Sequence, residues 1–545
     1  MTDLRAYRLE RRMPTSSALP LPAYPISPRA AGSDRLSIYM IVSSLLIVLG
    51  FKLLLINEFN SITPYWDQWD AEGGGLYAPI IAGHFNPYVF ISAWNEHRIL
   101  FTRIISLAVF YGVGLWYPAL EMVVNSFIHC AAVFAVVYLL TRSINVYVRG
   151  VAILVSTLIY IIPFDWENTL AGFQSEYYLL VLFSVLSVHM MSGAEAFSRI
   201  WLIGLALSVA SYFNLASGAL TAAASGAIMA LQLVVGSRQR TTREYAAVII
   251  CIAVSVIAVM GTPYSGEVTQ YKVSSLYVFA MAVIDQASYP FMAPYGLLQY
   301  IPSLILVARV LTKKPRKSAY EWSALAIIVW LGSQIVAISY GRGNQLGAIT
   351  SPRFTDVLLL GLSANLGVAF YLLQGFWSKY FRTRLGIAAL FWRWLLVFCL
   401  VVGAFSAWAV PFGRTQFAAA TAKGEQLTRE TANASAFLHT GNMAVLQGKP
   451  LLDLPLPTPQ QLAAVLSNPT IRSILHPALT GGPLRQDLLL PMWLSKLIRD
   501  MLLLLMRSGQ VFIGIGLGMW LAIPAFFLWN HDAQQDRVGF VINRY

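Results

Sequence analysis

Apolar runs of about 18 residues or more recur from Leu36 to the C-terminal region, and no feature constrains this chain more. A run that long fits a helix crossing a bilayer, where every backbone N–H and C=O must be satisfied internally. Polar segments between the runs are short, and none is long enough for a water-soluble domain above roughly 90 residues. Charged residues make up 12% of the chain and hydrophobic ones 57%, too little charge to cover a soluble protein of 545 residues. The net charge of +13 follows from basic residues gathered in short loops, so nucleic acid is not an expected partner. Cys130, Cys251 and Cys399 lie far apart inside apolar runs, without disulfide or zinc spacing.

Hydropathy and charge together place twelve spans at about 36–56, 118–140, 149–163, 176–192, 199–213, 215–235, 245–262, 295–312, 320–340, 355–375, 386–410 and 509–529. The loops that then face the cytoplasm carry Arg142 and Arg149, Arg199, Arg238 with Arg240 and Arg243, Lys313–Lys317, and Lys379 with Arg382 and Arg384. Arginines before Leu36, together with Arg537 and Arg544, put both termini on the same side. Counting 99–116 or 273–290 as crossings inverts that pattern, so both are expected to lie in the outer interface. The expected organisation is a proline-rich cytoplasmic tail at 1–35, a transmembrane module at 36–410, a small helical outer cap at 411–508, and a last span with a tail at 509–545. The first apolar run is read as a retained anchor in a bacterial inner membrane, with the active site on the periplasmic face. Within the cap, the alanine-rich Gln416–Phe437 is a good helix former, and Leu488–Arg507 is amphipathic.

Polar residues collect at the outer ends of the spans. The first outer loop reads Trp66-Asp67-Gln68-Trp69-Asp70-Ala71-Glu72: carboxylates able to act as a base, among tryptophans able to stack on a sugar ring or anchor in the interface. Further on, Glu96-His97-Arg98 precedes Arg103; if this stretch is helical, the four lie within two turns, and arginine forks suit a lipid phosphate. The second outer loop supplies Asp165, Glu167, Asn168, Gln174 and Glu176, groups that hold sugar hydroxyls or cap the next helix. Later loops bring Tyr264, Glu267 and Lys272, then Arg342 and Arg353 with Asp356, where the arginines suit an anion or the last two form a pair. No Walker or Gly-x-Gly-x-x-Gly sequence is present, so any glycosyl donor would be lipid-borne.

This arrangement of an acidic first outer loop, interfacial helices and a ladder of spans resembles the GT-C superfamily of integral-membrane glycosyltransferases, of the bacterial surface-polysaccharide type. The resemblance rests on Trp66–Asp70, Asn95–Ile99, Trp166–Asn168 with Gly172–Gln174, and Gly341-Arg342 with Ser351–Phe354. It implies an all-α polytopic fold that takes a polyprenyl-phosphate sugar as donor and a lipid or glycan as acceptor. It also implies an acid of the first loop, Asp67 or Asp70, as base on the acceptor hydroxyl. Arg342, Arg353, Arg98, Arg103 and His97 are then expected on the donor phosphate, and Trp66, Trp69, Glu72, Glu96, Glu167, Asn168 and Gln174 around the sugars. A divalent metal is permitted by the carboxylates and required by nothing. Asp67 and Asp70 stand three apart where many members carry adjacent acids, and Phe354 follows Arg353 where a tyrosine is expected. The rival expectations are a lipid-linked-sugar flippase and a polysaccharide polymerase or ligase. Ionisable residues at span ends, and no internal repeat, weigh against transport.

Overall fold

The computed structural model describes residues 28–312, 318–346, 350–381, 387–482 and 490–523, the side chains at 28–34, 147, 267, 346 and 375–412 excepted. The expected N-terminal tail, the Lys313–Lys317 cluster, Lys379, Arg382, Arg384, Glu267, Arg537 and Arg544 therefore lie outside the described residues or side chains. So do the side chains of the expected span at 386–410.

Every regular element among the described residues is helical. In chain order the principal helices are α1 Pro28–Phe59, α2 Leu100–Val113, α3 Pro118–Thr141, α4 Val146–Ile161, α5 Ser175–Gly193, α6 Arg199–Tyr212, α7 Leu220–Val234 and α8 Thr242–Met260. They continue with α9 Leu276–Ser288, α10 Ile301–Leu311, α11 Ala319–Leu346, α12 Thr355–Phe381, α13 Ile387–Thr440, α14 Met492–Arg507 and α15 Gly509–Ile523. Local chemistry sets many of the ends. The hydroxyls of Ser198, Thr241 and Ser275 accept from the N–H groups of Trp201, Glu244 and Val278, capping α6, α8 and α9. Pro118 opens α3, where its missing N–H costs nothing.

Among the described residues, seven helical segments are long and apolar enough to cross a membrane, or eight if α14 and α15, bent by 58° at their junction, form one span. The α8 segment shows why lipid is the solvent: its mean hydropathy is 2.0, yet only 22% of that window is buried in protein. Ile249, Ile252, Val256 and Ile257 stand exposed on it, a stripe that water would not tolerate. Of the twelve spans expected, those at 149–163, 199–213 and 295–312 form shorter apolar helices. So do both segments assigned to the interface, α2 and α9. A 14-residue helix is only about 21 Å long, against a hydrocarbon core of about 30 Å. The chain is an all-α, polytopic membrane protein.

The largest buried cluster joins α3, α5, α7, α10, α11 and α12 around Trp330. A second joins α1, α3, α4, α14 and α15. Here α1 and α15 meet at backbone distance: a Cβ on Gly50 would come within 2.6 Å of the Gly509 carbonyl. The third cluster binds the cap to the first outer loop, packing Leu438, Leu446, Leu462, Ile471 and Leu475 against Trp69, Leu76, Tyr77 and Trp116. No break separates membrane module from cap at 410, because α13 runs unbroken for 54 residues. The amphipathic α14 buries Leu502 and Met506 and leaves Met492, Trp493, Leu497 and Leu504 exposed.

Candidate functional site

After α1 ends at Phe59 the chain enters a π-helical segment, Gln68–Tyr77, which Asp67 precedes as its N-cap. Trp66 has a φ of +44°, a sparsely populated conformation for a bulky residue, and its N–H is held by the Pro455 carbonyl at 2.7 Å. That cap contact fixes the turn that presents Asp67. The Asp67 side chain is half-buried, and its carboxylate has no hydrogen-bond or ion-pair partner among the described residues. Burial raises its pKa, the Arg353 guanidinium lowers it, and Asp70 and Glu167 raise it again. Asp70 is exposed, and partial burial alone raises its pKa. The two aspartates that sequence could not separate thus differ in surroundings, and only Asp67 faces the arginine.

Arg353 opens the turn into α12 and pairs with Glu167 at 2.5 Å. Ser351 donates to the other Glu167 oxygen at 3.4 Å. Asn168 is fully buried and donates to the Arg353 carbonyl at 2.9 Å and to Asp356 Oδ2 at 2.7 Å. It therefore fixes the arginine's backbone, and it has no exposed surface to offer a sugar, although its Oδ1 is without a partner among the described residues. Arg342 pairs with Glu96 and lies 5.6 Å from the centre of the Tyr271 ring. Gln174 is half-buried, with its Oε1 unpartnered. Asp67, Glu167, Arg353, Arg342, Glu96 and His97 lie close enough to act on one another electrostatically.

Several expected contacts go elsewhere. Trp94–His97 is a tight turn with reciprocal 2.8 Å backbone bonds and Asn95 at a φ of +50°, so the helix begins only at Leu100. Glu96 and His97 consequently do not stack one turn before Arg103. Arg98 donates to the Ile91 and Gly261 carbonyls and to the Tyr212 hydroxyl. Arg103 is 3% exposed and donates to the carbonyls of Val89 and Ser92. Both arginines tie loops together through backbone carbonyls, and the Arg103 Nε is buried without a partner among the described residues. His97 Nδ1 accepts from the Ala216 N–H at 3.2 Å. Burial pushes the His97 pKa down to about 4, against the pull of Glu96, so the ring brings no positive charge at neutral pH.

Trp69 and Glu72 turn inward. Trp69 has no exposed surface and packs edge-on against Trp116 at 5.3 Å, which removes it as a sugar platform. Glu72 is fully buried; it accepts from Ser106 at 2.5 Å and from Gln68, whose amide also reaches Glu121. Gly172 belongs to this packing, since a Cβ there would come within 2.6 Å of a Glu121 oxygen. No basic side chain pairs with Glu72 among the described residues, and burial lifts its carboxyl to about 7, although hydrogen bonds from Ser106 and Gln68 oppose the shift. An acid whose folded pKa is raised binds more protons folded than unfolded, so stability declines as pH rises from about 4.5 to about 7. The Glu72→Gln protein is expected to lose that decline and to melt higher than wild type at pH 8, as read by thermal unfolding in detergent. Equal pH slopes in the two proteins would contradict this.

Below the loops, Asp165 and Asp356 join a network through Lys52 and His129, two residues that the sequence reading overlooked. Lys52, inside α1, pairs with Asp165 and donates to Thr169 at 2.8 Å, while Tyr178 donates to the same Asp165 oxygen at 3.1 Å. His129 Nε2 is 3.3 Å from Asp356, and its Nδ1 is buried without a partner. Ionisable residues are therefore not confined to span ends, and a lone lysine in the expected span 36–56 was the available signal. His129, Asp165 and Asp356 are the only metal-ligand grouping among the described residues, and the Lys52 ammonium already stands against it. Asp165 and Asp356 are among the loop carboxylates that the sequence singles out, whereas Asp67, Asp70, Glu72, Glu96 and Glu167 lie outside that group.

Lys423 was also missed. It reaches the site from α13, and its ammonium lies 3.1 Å from the centre of the Tyr65 ring. A cavity of about 1270 Å³ opens instead at the opposite ends of α5 and α7. There Arg238 is engaged by the Met191, Ser192 and Ala194 carbonyls and by Glu244.

Comparison with protein-family models, with curated proteins and with solved structures returns no match.

Proposed function

We propose that the protein is a membrane glycosyltransferase that moves a sugar from a polyprenyl-phosphate donor to a lipid or glycan acceptor. The observation that carries the reading is Asp67, an unpartnered, half-buried carboxylate within the electrostatic field of the Glu167–Arg353 pair. A carboxylate held this way can take the proton of an acceptor hydroxyl as that oxygen attacks the anomeric carbon. The carrier phosphate then leaves, and arginines fixed near a low-dielectric boundary stabilise its growing charge. Asp67 is the base, Arg353 and Arg342 serve the phosphate, and Trp66 and Gln174 border the sugar. Arg98, Arg103, Asn168, Trp69 and Glu72 support the site from outside it.

In this reading the twelve-span layout holds, with the short apolar helices completed by neighbouring turns. The site faces the periplasm of a bacterial inner membrane, as the basic loops require. A second reading, movement of a lipid-linked sugar across the bilayer, draws on Lys52, His129, Asp165 and Asp356 buried inside the bundle. One experiment separates them: purified protein in liposomes, supplied with polyprenyl-phosphate sugars and an envelope glycan extract. Release of polyprenyl phosphate with a new glycosylated product supports the transferase. Movement of the sugar lipid between leaflets without release overturns it in favour of transport.

A further inference from the structure

Three cations reach the site, and two already hold carboxylates: Arg353 binds Glu167, and Arg342 binds Glu96. Lys423 does not. It is 4% exposed, and its Nζ has no hydrogen-bond or ion-pair partner among the described residues. What it touches is the face of Tyr65, two residues before Asp67. Glu430, two turns further along the same helix and the acid that acts on Lys423 most strongly, accepts instead from Gln426 at 2.7 Å. A buried ammonium with only an aromatic face for company has lost its water and gained no anion in return. The two arginines, by contrast, each already hold a carboxylate through one Nη, so part of their charge is neutralised.

We propose that Lys423 anchors an anionic oxygen of the ligand, a phosphate or carboxylate group seated on the ammonium beside the Tyr65 ring, within the field of Arg353. This rests on the site reading given above and adds to it the charge of the ligand at the cap side. The anion belongs either to the lipid carrier's phosphate or to an acidic sugar. Both offer the same chemistry to the ammonium, and they differ in whether an isoprenoid chain is needed.

Titration supplies a signature. Burial pushes the Lys423 ammonium down to about 8, with Glu430 and Glu167 opposing the shift and Arg353 reinforcing it. Tyr65 is raised by its own burial and stays neutral, and burial lifts Glu430 to about 7, so its charge is largely in place before Lys423 loses its proton. Anion affinity carried by Lys423 must therefore fall as pH rises from 7 to 9.

The test is binding to the full-length protein in detergent, by calorimetry, of farnesyl phosphate, farnesol and glucuronate. Farnesyl phosphate is expected to bind wild type at least tenfold more tightly than the Lys423→Met protein, with farnesol alike for both. The Lys423→Arg protein should keep the affinity and lose its decline above pH 8. A Lys423-dependent difference seen with glucuronate alone would place the anion on the sugar. Equal anion affinity in wild type and Lys423→Met, or no anion binding by wild type, overturns the proposal. If wild type turns over a polyprenyl-phosphate sugar while Lys423→Met binds normally, only the role of Lys423 falls. If binding depends on Lys423 but no donor is turned over, the transferase reading falls and the anion site stands.

Discussion

The Asp67→Asn protein is expected to lose about 10²- to 10⁴-fold in kcat, the usual contribution of a positioned general base, with little change in KM for the donor. Asparagine keeps the shape of the side chain and the contacts of Trp66 with the cap, so the loss would report the missing base and not a disturbed loop. Asp70→Asn is expected to stay within about threefold of wild type, because Asp70 is exposed and faces no arginine. Arg353 bears on how Asp67 works as well as on the phosphate. It offsets part of the desolvation that would otherwise hold a proton on Asp67. The check is steady-state transfer kinetics with one donor across pH. Equal losses in the two asparagine variants would remove the distinction between the aspartates, and full activity in Asp67→Asn would end its assignment as base.

Lys52→Met is expected to destabilise the fold by about 3–5 kcal/mol, the cost of leaving one partner of a buried ion pair uncompensated. The pair lies within the bundle, where Asp165 also accepts from Tyr178 and Thr169. Burial favours the neutral acid, yet the Lys52 ammonium outweighs it and holds the Asp165 carboxyl well below the usual range. The double variant Lys52→Met with Asp165→Asn removes both charges and is expected to recover more than half of the loss. The measurement is the thermal midpoint in detergent for wild type, both single variants and the double variant. If the double variant loses the sum of the two single losses, the residues do not act as a pair. A wild-type midpoint in Lys52→Met would show that the pair contributes nothing to folding.

Much of this was open to inspection in the chain itself. Hydropathy is a local quantity, summed over a window of neighbours, and it sufficed for the helical class, the membrane environment and most helix positions. The same scan found which loops carry the carboxylates and arginines, because those residues interrupt or follow apolar runs. Capping by Ser198, Thr241 and Ser275 is local as well. Even the cap helix was legible, as an alanine-rich stretch with high intrinsic helix propensity.

Which polar residues face one another was decided by tertiary structure alone. Arg353 meets Glu167 across 186 positions and Arg342 meets Glu96 across 246, and no window joins such residues. Arg98 and Arg103 stood beside Arg342 and Arg353 as phosphate candidates, since a guanidinium looks alike in sequence whether backbone carbonyls surround it or an open site does. Glu72 and Trp69 share a loop with Asp67, yet the π-helical turn and the cap's packing on Trp116 rotate them inward. Lys423 was invisible for the opposite reason: it sits amid alanines on a helix that reads as a simple spacer, and only the unbroken path of α13 past Phe59 brings it to Tyr65. Hydrophobicity sorts segments into lipid and water, a one-dimensional decision. Pairing a buried charge requires the crossing of particular helices, which the packed bundle alone determines.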